Sequence, residues 1–311
     1  MENLTYGLHH ITAIAGDAQR TYDFYTKILG LRLVKKTVNF DAPDAYHFYF
    51  GDTAGSPGTI LTFFAWGDEV KGIPGAGTVS QITFAIPVGS IDFWKKRLAQ
   101  NNIRFVEQND GFDENILSFA DPDGLSLALI ETEKGKTSQP WATSDISAQY
   151  ATQGFYGITL TLNETEPSVE VLKELLGYTV SSKQGAFTRL SHRFEANAAY
   201  IDILELPDEP EAMIAAGIVH HVAFRTPTDE FIELQRAKVL DADLHVSPIM
   251  DRTYFHSIYF REPGGVLFEV ATDSPGFDVD EPLAELGQSL KLPIQFERFR
   301  TEIENTLTPI Y

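Results

Sequence analysis

The sequence contains no cysteine among its 311 residues. Disulfide bonds, a thiolate nucleophile and a thiolate-held metal cluster are therefore excluded. Basic residues are also scarce: 24 Lys and Arg stand against 44 Asp and Glu, which gives a formal net charge of −20. Because nucleic-acid binding needs basic surfaces that neutralise phosphates, we expect no nucleic-acid partner.

Long apolar runs are missing as well. No stretch approaches the roughly 18 residues that a membrane helix requires, so we expect no association with a membrane. The first residues, Met-Glu-Asn-Leu-Thr, lack the basic and apolar regions of a secretory signal. Together with the absence of cysteine, this predicts a cytoplasmic protein. The length predicts about two domains.

What the sequence does have is a repeat. Four short apolar stretches each read as a strand and are each followed by a helix-like segment; they begin at His9, Ser80, Tyr156 and His220. The separation of His10 from Gly30 equals that of Gly157 from Gly177, and both terminal glycines follow a leucine. Matched spacing over such a distance indicates a true internal repeat.

Each repeat predicts the same order of elements, a strand, a helix and three further strands. The fold class is therefore α+β, with four βαβββ modules at residues 5–68, 76–133, 152–207 and 216–273. In the fourth module the last three strands are expected near 244–246, 255–260 and 266–271. We group the modules into two domains, 1–135 and 150–275, followed by a helical C-terminal tail at 276–311. A polar stretch at 131–147 is the predicted linker.

Two of the four first strands carry a pair of histidines, His9-His10 and His220-His221. Neighbouring residues on a regular strand face opposite sides of the sheet. We therefore expect one histidine of each pair to enter a site and the other to be structural. A hydrogen-bonded core or edge role is the alternative for any single histidine.

Glu269 interrupts an apolar run, Val266-Leu267-Phe268-Glu269-Val270-Ala271, that reads as a strand buried on both faces. A buried carboxylate must be paired, protonated or bound to a cation. Two histidines and one carboxylate on separate strands match the facial triad of non-haem iron(II) enzymes, which leaves coordination positions open for substrate and oxygen. Pairing of Glu269 with Arg or Lys is the alternative.

Two further residues are candidates by position. Tyr259 precedes Glu269 on the neighbouring predicted strand, and Tyr49 is its counterpart in the first module. His47 shares a strand face with Tyr49 and could serve as a general acid or base, since the ordinary pKa of histidine lies near neutrality. A structural role for His47 is equally compatible with the sequence.

These residues resemble a known family. Histidines on first strands and a glutamate on a last strand, within four such modules, are similar to the vicinal oxygen chelate superfamily of glyoxalase I and the extradiol dioxygenases. The runs Leu8–Thr12, Leu31–Thr37, Tyr46–Gly51 and Ser257–Glu269 resemble in particular the bacterial ring-cleaving dioxygenases that open hydroquinones and chlorohydroquinones, a group involved in quinone resistance. The resemblance implies that the modules form cupped mixed sheets.

The resemblance also selects the site residues. The family's first-strand ligand stands a fixed distance before the acidic residue that starts the helix, here Asp17, which selects His10 over His9. Repeat alignment then selects His221, with Glu269 as the carboxylate ligand and Tyr259 as the active-site tyrosine. Iron(II) is the implied cofactor, with manganese(II) or zinc as alternatives. Better-known family members take their ligands from modules three and four; here the site must join modules one and four, or form between chains.

The resemblance implies an iron(II)-dependent extradiol-type dioxygenase whose partners are a small aromatic diol and O2. Phe48, Phe224 and Phe268 are candidates for the apolar walls of its pocket. The signature histidine before Tyr259 is replaced by Met250, Asp251 and Arg252, so the proton-transfer residue stays open. A glyoxalase-like lyase or isomerase, and a metal-free sequestering protein, are the alternative functions; a homo-oligomer is open.

Overall fold

The computed structural model describes residues 4–67, 70–133, 139–192 and 198–311. The strands are β1 (Leu8–Ala15), β2 (Arg32–Val38), β3 (Tyr46–Gly51), β4 (Ile60–Ala65), β5 (Thr78–Ile86), β6 (Phe105–Asn109), β7 (Asn115–Ala120), β8 (Ser126–Glu131), β9 (Phe155–Leu162), β10 (Tyr178–Gln184), β11 (Phe187–His192), β12 (Tyr200–Glu205), β13 (Val219–Thr226), β14 (Met250–Asp251), β15 (Phe255–Arg261) and β16 (Leu267–Pro275). The helices are α1 (Ala18–Asp23), α2 (Ile91–Gln100), α3 (Glu166–Glu174), α4 (Asp229–Asp241) and α5 (Arg300–Thr306).

The strands form two eight-stranded mixed sheets. One has the order β14-β15-β16-β13-β1-β4-β3-β2 and the other β10-β11-β12-β9-β5-β8-β7-β6. Modules one and four thus share the first sheet, and modules two and three share the second. The predicted α+β fold of four repeated modules in cupped sheets is confirmed. The division into domains at 1–135 and 150–275 stays a prediction, since each sheet takes strands from both halves.

Local sequence explains the helix that follows β1. Asp17 caps α1, because its side chain accepts a hydrogen bond from the Arg20 backbone N–H. The helix then widens into a π-helical turn at Phe24–Ile28, and the chain reverses at Gly30, whose φ of +69° favours glycine.

The four first strands share one irregularity. Where β1 pairs with β13, the register skips His9 on one strand and His220 on the other. Where β5 pairs with β9, it skips Ser80 and Tyr156. These are the four residues at which the sequence repeat begins, so each module carries a β-bulge at the same position.

One detail of the sequence-based prediction differs from the structure. The strand expected at 244–246 is only an isolated bridge between Val246 and Phe260, and β14 takes the edge position instead. The tail contains three short 3-10 helices and α5. Its Leu290 also forms an isolated β-bridge with Lys36 of β2. Residues 134–138 of the predicted linker lie outside the described part of the chain. No helix of the described ranges is long and apolar enough to cross a membrane.

The second sheet encloses an internal ion cluster. The Arg189 guanidinium binds Asp202 through two hydrogen bonds of 2.7 and 2.8 Å, and also bonds Asp110 at 2.7 Å and Glu114 at 2.5 Å. The side chains of Arg189, Asp110 and Asp202 are each at most 11% exposed. Asp202 sits on β12 opposite Thr159, the register position that Glu269 holds opposite Ala223 in the first sheet.

We expect Arg189→Met to lower the free energy of unfolding by about 3–5 kcal/mol, because it leaves buried carboxylates without their cation. Chemical denaturation followed by circular dichroism measures the change. The matched control is Lys183→Met, whose pair with Glu166 is more than half exposed on both side chains and should change stability by less than about 1 kcal/mol. Equal effects of the two substitutions would contradict a structural role for the cluster.

Candidate metal centre

Two imidazoles and a carboxylate converge at the middle of the first sheet. Nε2 of His221 lies 2.9 Å, and Nε2 of His10 3.2 Å, from Oε2 of Glu269. One ligand atom from each residue lies within 4.8 Å of the other two. All three side chains are buried, and Glu269 is 0% exposed. The cluster joins modules one and four within one chain, as one of the two sequence-based alternatives requires.

Strand register explains the convergence. The central strands β1 and β13 run antiparallel, which sets Thr12 opposite His221 and Ala223 opposite His10. Strand β16 runs parallel to β13 and sets Glu269 opposite Ala223. Three adjacent strands therefore deliver one donor each to the same side of the sheet.

The Glu269 carboxylate is held at one oxygen only. The Ser257 hydroxyl donates a short hydrogen bond to Oε1. Oε2 faces the two imidazole nitrogens, but among the described residues it has no partner with hydrogen-bond geometry. Burial alone would raise the pKa of Glu269, but the adjacent His10 and His221 hold it well below its ordinary value. A buried, ionised carboxylate whose free oxygen faces two imidazole nitrogens fits a divalent cation.

Each of these imidazoles contacts the neighbouring histidine. Nδ1 of His9 lies 2.9 Å from Nδ1 of His10, and Nδ1 of His220 lies 2.8 Å from Nδ1 of His221. For the second pair the expectation of opposite faces is wrong, because the bulge at His220 breaks the alternation and both His220 and His221 border one cavity. In the first pair His10 borders this cavity and His9 is not among its lining residues. The cluster takes one histidine from each pair.

The paired nitrogens constrain protonation. If Nε2 of His10 and of His221 is to bind a metal, the ring proton sits on Nδ1 and is donated to the neighbouring ring. Burial lowers the pKa of His221, and it lowers that of His220 to about 4 and that of His9 well below the ordinary value. These neutral imidazoles suit the ligand and acceptor roles.

A cavity of about 400 Å³ opens onto the cluster. Its wall is mostly apolar and aromatic, with Phe40, Phe64, Trp66, Phe255 and Leu267 as the main contributors. The phenylalanines expected there, Phe48, Phe224 and Phe268, belong to the main core instead. The reason is strand alternation, since Phe48 and Phe268 directly adjoin His47 and Glu269 and so face away from the cavity.

His47 borders this cavity with both ring nitrogens engaged. Nε2 lies 3.0 Å from the Thr62 hydroxyl, and Nδ1 lies 3.0 Å from the Tyr49 hydroxyl. The Thr62 hydroxyl also bonds Thr12 at 2.8 Å. Burial, reinforced by His10 and His221, lowers the pKa of His47 well below its ordinary value. The result is a neutral imidazole within a chain of hydroxyl groups, whose catalytic role stays a prediction.

Tyr259 also borders the cavity and pairs with Glu269 across the β15–β16 ladder. Its hydroxyl accepts a hydrogen bond of 3.2 Å from Nε of Arg252. Burial and the nearby Glu269 carboxylate raise its pKa, which keeps the phenol protonated. Arg252 further stacks on the Phe40 ring and lies 3.5 Å from Asp41.

Sequence reasoning missed Arg252 and Ser257 as members of the site. Arg252 follows the short strand β14, which no local pattern announces. Ser257 could have been found, because it stands two residues before Tyr259 and so shares its strand face.

A family model described as the Glyoxalase/Bleomycin resistance protein/Dioxygenase superfamily matches residues 7–129 and 146–270. The chain belongs to this family, which confirms the resemblance inferred from its repeats and ligand pattern.

Individual relatives cover nearly the whole chain. "Putative ring-cleaving dioxygenase MhqO" of Bacillus subtilis is 41% identical over 310 residues, covering 99% of this chain and 98% of the relative. The chlorohydroquinone/hydroquinone 1,2-dioxygenase of Sphingobium indicum is 34% identical over 310 residues, with 97% and 95% covered. A crystal structure of a "putative dioxygenase" from Bacillus subtilis superposes with a TM-score of 0.96 at 40% identity, covering 100% of this chain and 99% of that one.

The convergence of donors predicts one divalent metal ion per chain. We expect His10→Gln, His221→Gln and Glu269→Gln each to weaken Mn(II) or Fe(II) binding by at least a hundredfold, roughly, since loss of an outer-shell partner alone costs 10–100-fold. Anaerobic titration calorimetry with metal analysis measures this. The matched control is Asp273→Asn. Asp273 lies on β16, as Glu269 does, and its ion pair is with Arg225 of β13. Unchanged metal affinity in the Glu269 variant would rule out the site.

Proposed function

We propose that this protein is an iron(II)-dependent, extradiol-type ring-cleaving dioxygenase acting on a hydroquinone or a catechol-like aromatic diol. The observation that carries the proposal is the His10–His221–Glu269 cluster at an aromatic cavity. The relatives' names support the reaction class, since one acts on chlorohydroquinone and hydroquinone. A cytoplasmic location and a role in quinone resistance remain predictions.

His10, His221 and Glu269 would hold the metal. A bound iron(II) would supply the redox chemistry that links an aromatic diol to O2, and manganese(II) is compatible with the same ligands. Three protein ligands leave positions open for substrate, as a facial triad does. The remaining residues of the site would bind the ring, orient it and control its protons.

The aromatic wall is suited to a planar ring. Phe64, Trp66 and Phe255 line the cavity, with the Phe64 and Trp66 rings 5.3 Å apart between centres. Aromatic contacts stabilise a bound ring beyond its area burial. The same wall excludes bulk water, which protects reactive intermediates from side reactions.

Arg252 and Tyr259 form the polar side of the cavity. The guanidinium is a fixed positive charge next to a protonated phenol, so an ionised diol oxygen would find a cation and a hydrogen-bond donor together. Tyr259 would orient this oxygen or an oxygen-derived group. His47, neutral and bonded to Thr62 and Tyr49, would accept or return a proton through that hydroxyl chain.

A glyoxalase-like reaction is less well supported because its paired-module site usually has a fourth protein ligand. The register position in module one that matches Glu269 belongs to Thr62, which β1–β4 pairing sets opposite Thr12. Its hydroxyl is already bonded to Thr12 and His47. Within the described residues the cluster accordingly has three members.

Oxygen uptake tests the function directly. We expect the anaerobically iron-loaded protein to consume one O2 per molecule of hydroquinone or catechol opened, and Glu269→Gln to abolish uptake, because the ligand set is broken. An oxygen electrode, with product identification by mass spectrometry, measures both. Binding of the diols without oxygen uptake would favour a sequestering protein, and turnover of a thiol adduct would favour a lyase or isomerase.

The predicted catalytic side chains give a second test. We expect Tyr259→Phe to lower kcat by about 10²–10³-fold, as loss of a positioned donor does, and His47→Gln to lower it by about 10²-fold or more if it transfers a proton. Metal content should stay unchanged in both variants. Tyr156→Phe, a buried tyrosine of the second sheet bonded to Glu114, is the control. Near-normal kcat in either variant would remove that residue from the mechanism.

A further inference from the structure

The C-terminal tail runs from one edge of the metal-bearing sheet to the other. Just after β16, the Gly276 N–H donates to the Tyr254 carbonyl in the β14–β15 hairpin. Further along, the Lys291 N–H donates to the Lys36 carbonyl on β2. The β14–β15 hairpin and strand β2 lie at opposite edges of the eight-stranded sheet.

Between these points lies a buried cation that the proposed reaction does not use. The Lys35 side chain is 0% exposed, and its ammonium bonds Asp280 at 2.5 Å and Glu281 at 2.6 Å. Although burial opposes the charge on Glu281, hydrogen bonds from Lys35 and Ser289 hold its pKa below the ordinary value. A fully buried ammonium is stable only when paired in this way, so Lys35 fixes the tail on β2.

Asp280 joins the two edges of the sheet through one carboxylate. Its Oδ1 accepts from Lys35, and its Oδ2 accepts a hydrogen bond of 3.1 Å from the Tyr254 hydroxyl. The Lys35 ammonium also lies 4.9 Å from the centre of the Tyr254 ring. One side chain therefore contacts residues at both edges of the sheet.

A continuous series of ring contacts leads from this junction to the metal ligands. The Phe277 ring of the tail packs against Tyr49 and against Tyr254, with 5.1 Å between ring centres in each pair. Tyr49 lies 6.5 Å from Phe255, and Phe255 lies 5.0 Å from His10. These residues, except His10, form a separate buried cluster, and closely packed clusters transmit displacements.

We propose that Lys35, Asp280 and Tyr254, here called the tail staple, set the curvature of the first sheet and thereby the position of the cavity wall at Phe255 and Tyr49. Lys35 and Asp280 are positioning residues that act through Tyr254 and Phe255. The expected effect on diol binding rests on the proposed dioxygenase function, whereas the expected effect on the sheet does not.

The test is Asp280→Ala, which removes the bridge while Glu281 still pairs with Lys35. We expect amide hydrogen exchange across 250–258 to quicken about tenfold, in line with the loss of hydrogen bonds to a charged group. With the iron-loaded enzyme, KM for the diol should rise about tenfold with kcat changed much less, because the wall binds the ring in ground and transition states alike. Asp280→Glu should restore both values.

Asp278→Ala, an exposed carboxylate two positions earlier in the same tail, is the matched control and should leave both readouts unchanged. Exchange across 250–258 that is as slow in Asp280→Ala as in the control would overturn the staple. A fall in kcat alone would indicate partial unfolding and also count against it. Faster exchange in a protein that cleaves no diol in any variant would instead leave the staple standing and overturn the dioxygenase function.

Discussion

The structure of the first sheet depends on one buried carboxylate. Glu269 is fully enclosed, ionised and satisfied at only one of its two oxygens. An uncompensated charge in such a position would be severely destabilising. The surrounding polar residues compensate this charge. Ser257 binds one oxygen of the carboxylate, and His10 and His221 direct Nε2 toward the other. We expect a cation bound between them to complete the charge balance.

The backbone device that makes this possible is the β-bulge repeated in every module. In the first sheet it turns His9 and His220 out of the regular alternation, so that each reaches the Nδ1 atom of the ligand histidine beside it. In the second sheet the same bulges carry Ser80 and Tyr156, and Tyr156 bonds Glu114 instead. The same bulge therefore occurs in all four modules. In the first sheet it positions histidine pairs, and in the second sheet it positions a tyrosine bonded to Glu114.

Much of this was readable from the sequence, and the failures share one cause. The repeat follows from apolar alternation, and Glu269 follows from its place inside an apolar run. The choice of His10 and His221 within their pairs came from the family resemblance. The bulges at His9 and His220 follow from none of these, because they arise only when two first strands pair at long range. Arg252 was missed for the same reason: its neighbour Tyr259 is reached through the fold of the β14–β15 hairpin. Local pattern identifies elements, whereas register between distant strands positions side chains.

The two sheets treat a buried carboxylate at the same register position in different ways. In the second sheet Arg189 stands opposite Asp202, at the register position where Tyr259 stands opposite Glu269 in the first. Its guanidinium binds Asp202, Asp110 and Glu114 and so pairs these acids with a covalently attached cation. An arginine side chain, unlike a metal ion, has no open coordination position at which a substrate could bind. In the first sheet Tyr259 takes the place of Arg189, and the ion pairs of Glu269 within the described residues are with His10 and His221. We expect a cation from solution to supply the balancing charge, and such an ion could also bind a substrate. The two module pairs therefore differ in what binds the buried carboxylate: an arginine of the chain in the second sheet, and two imidazoles that could share a metal ion with it in the first.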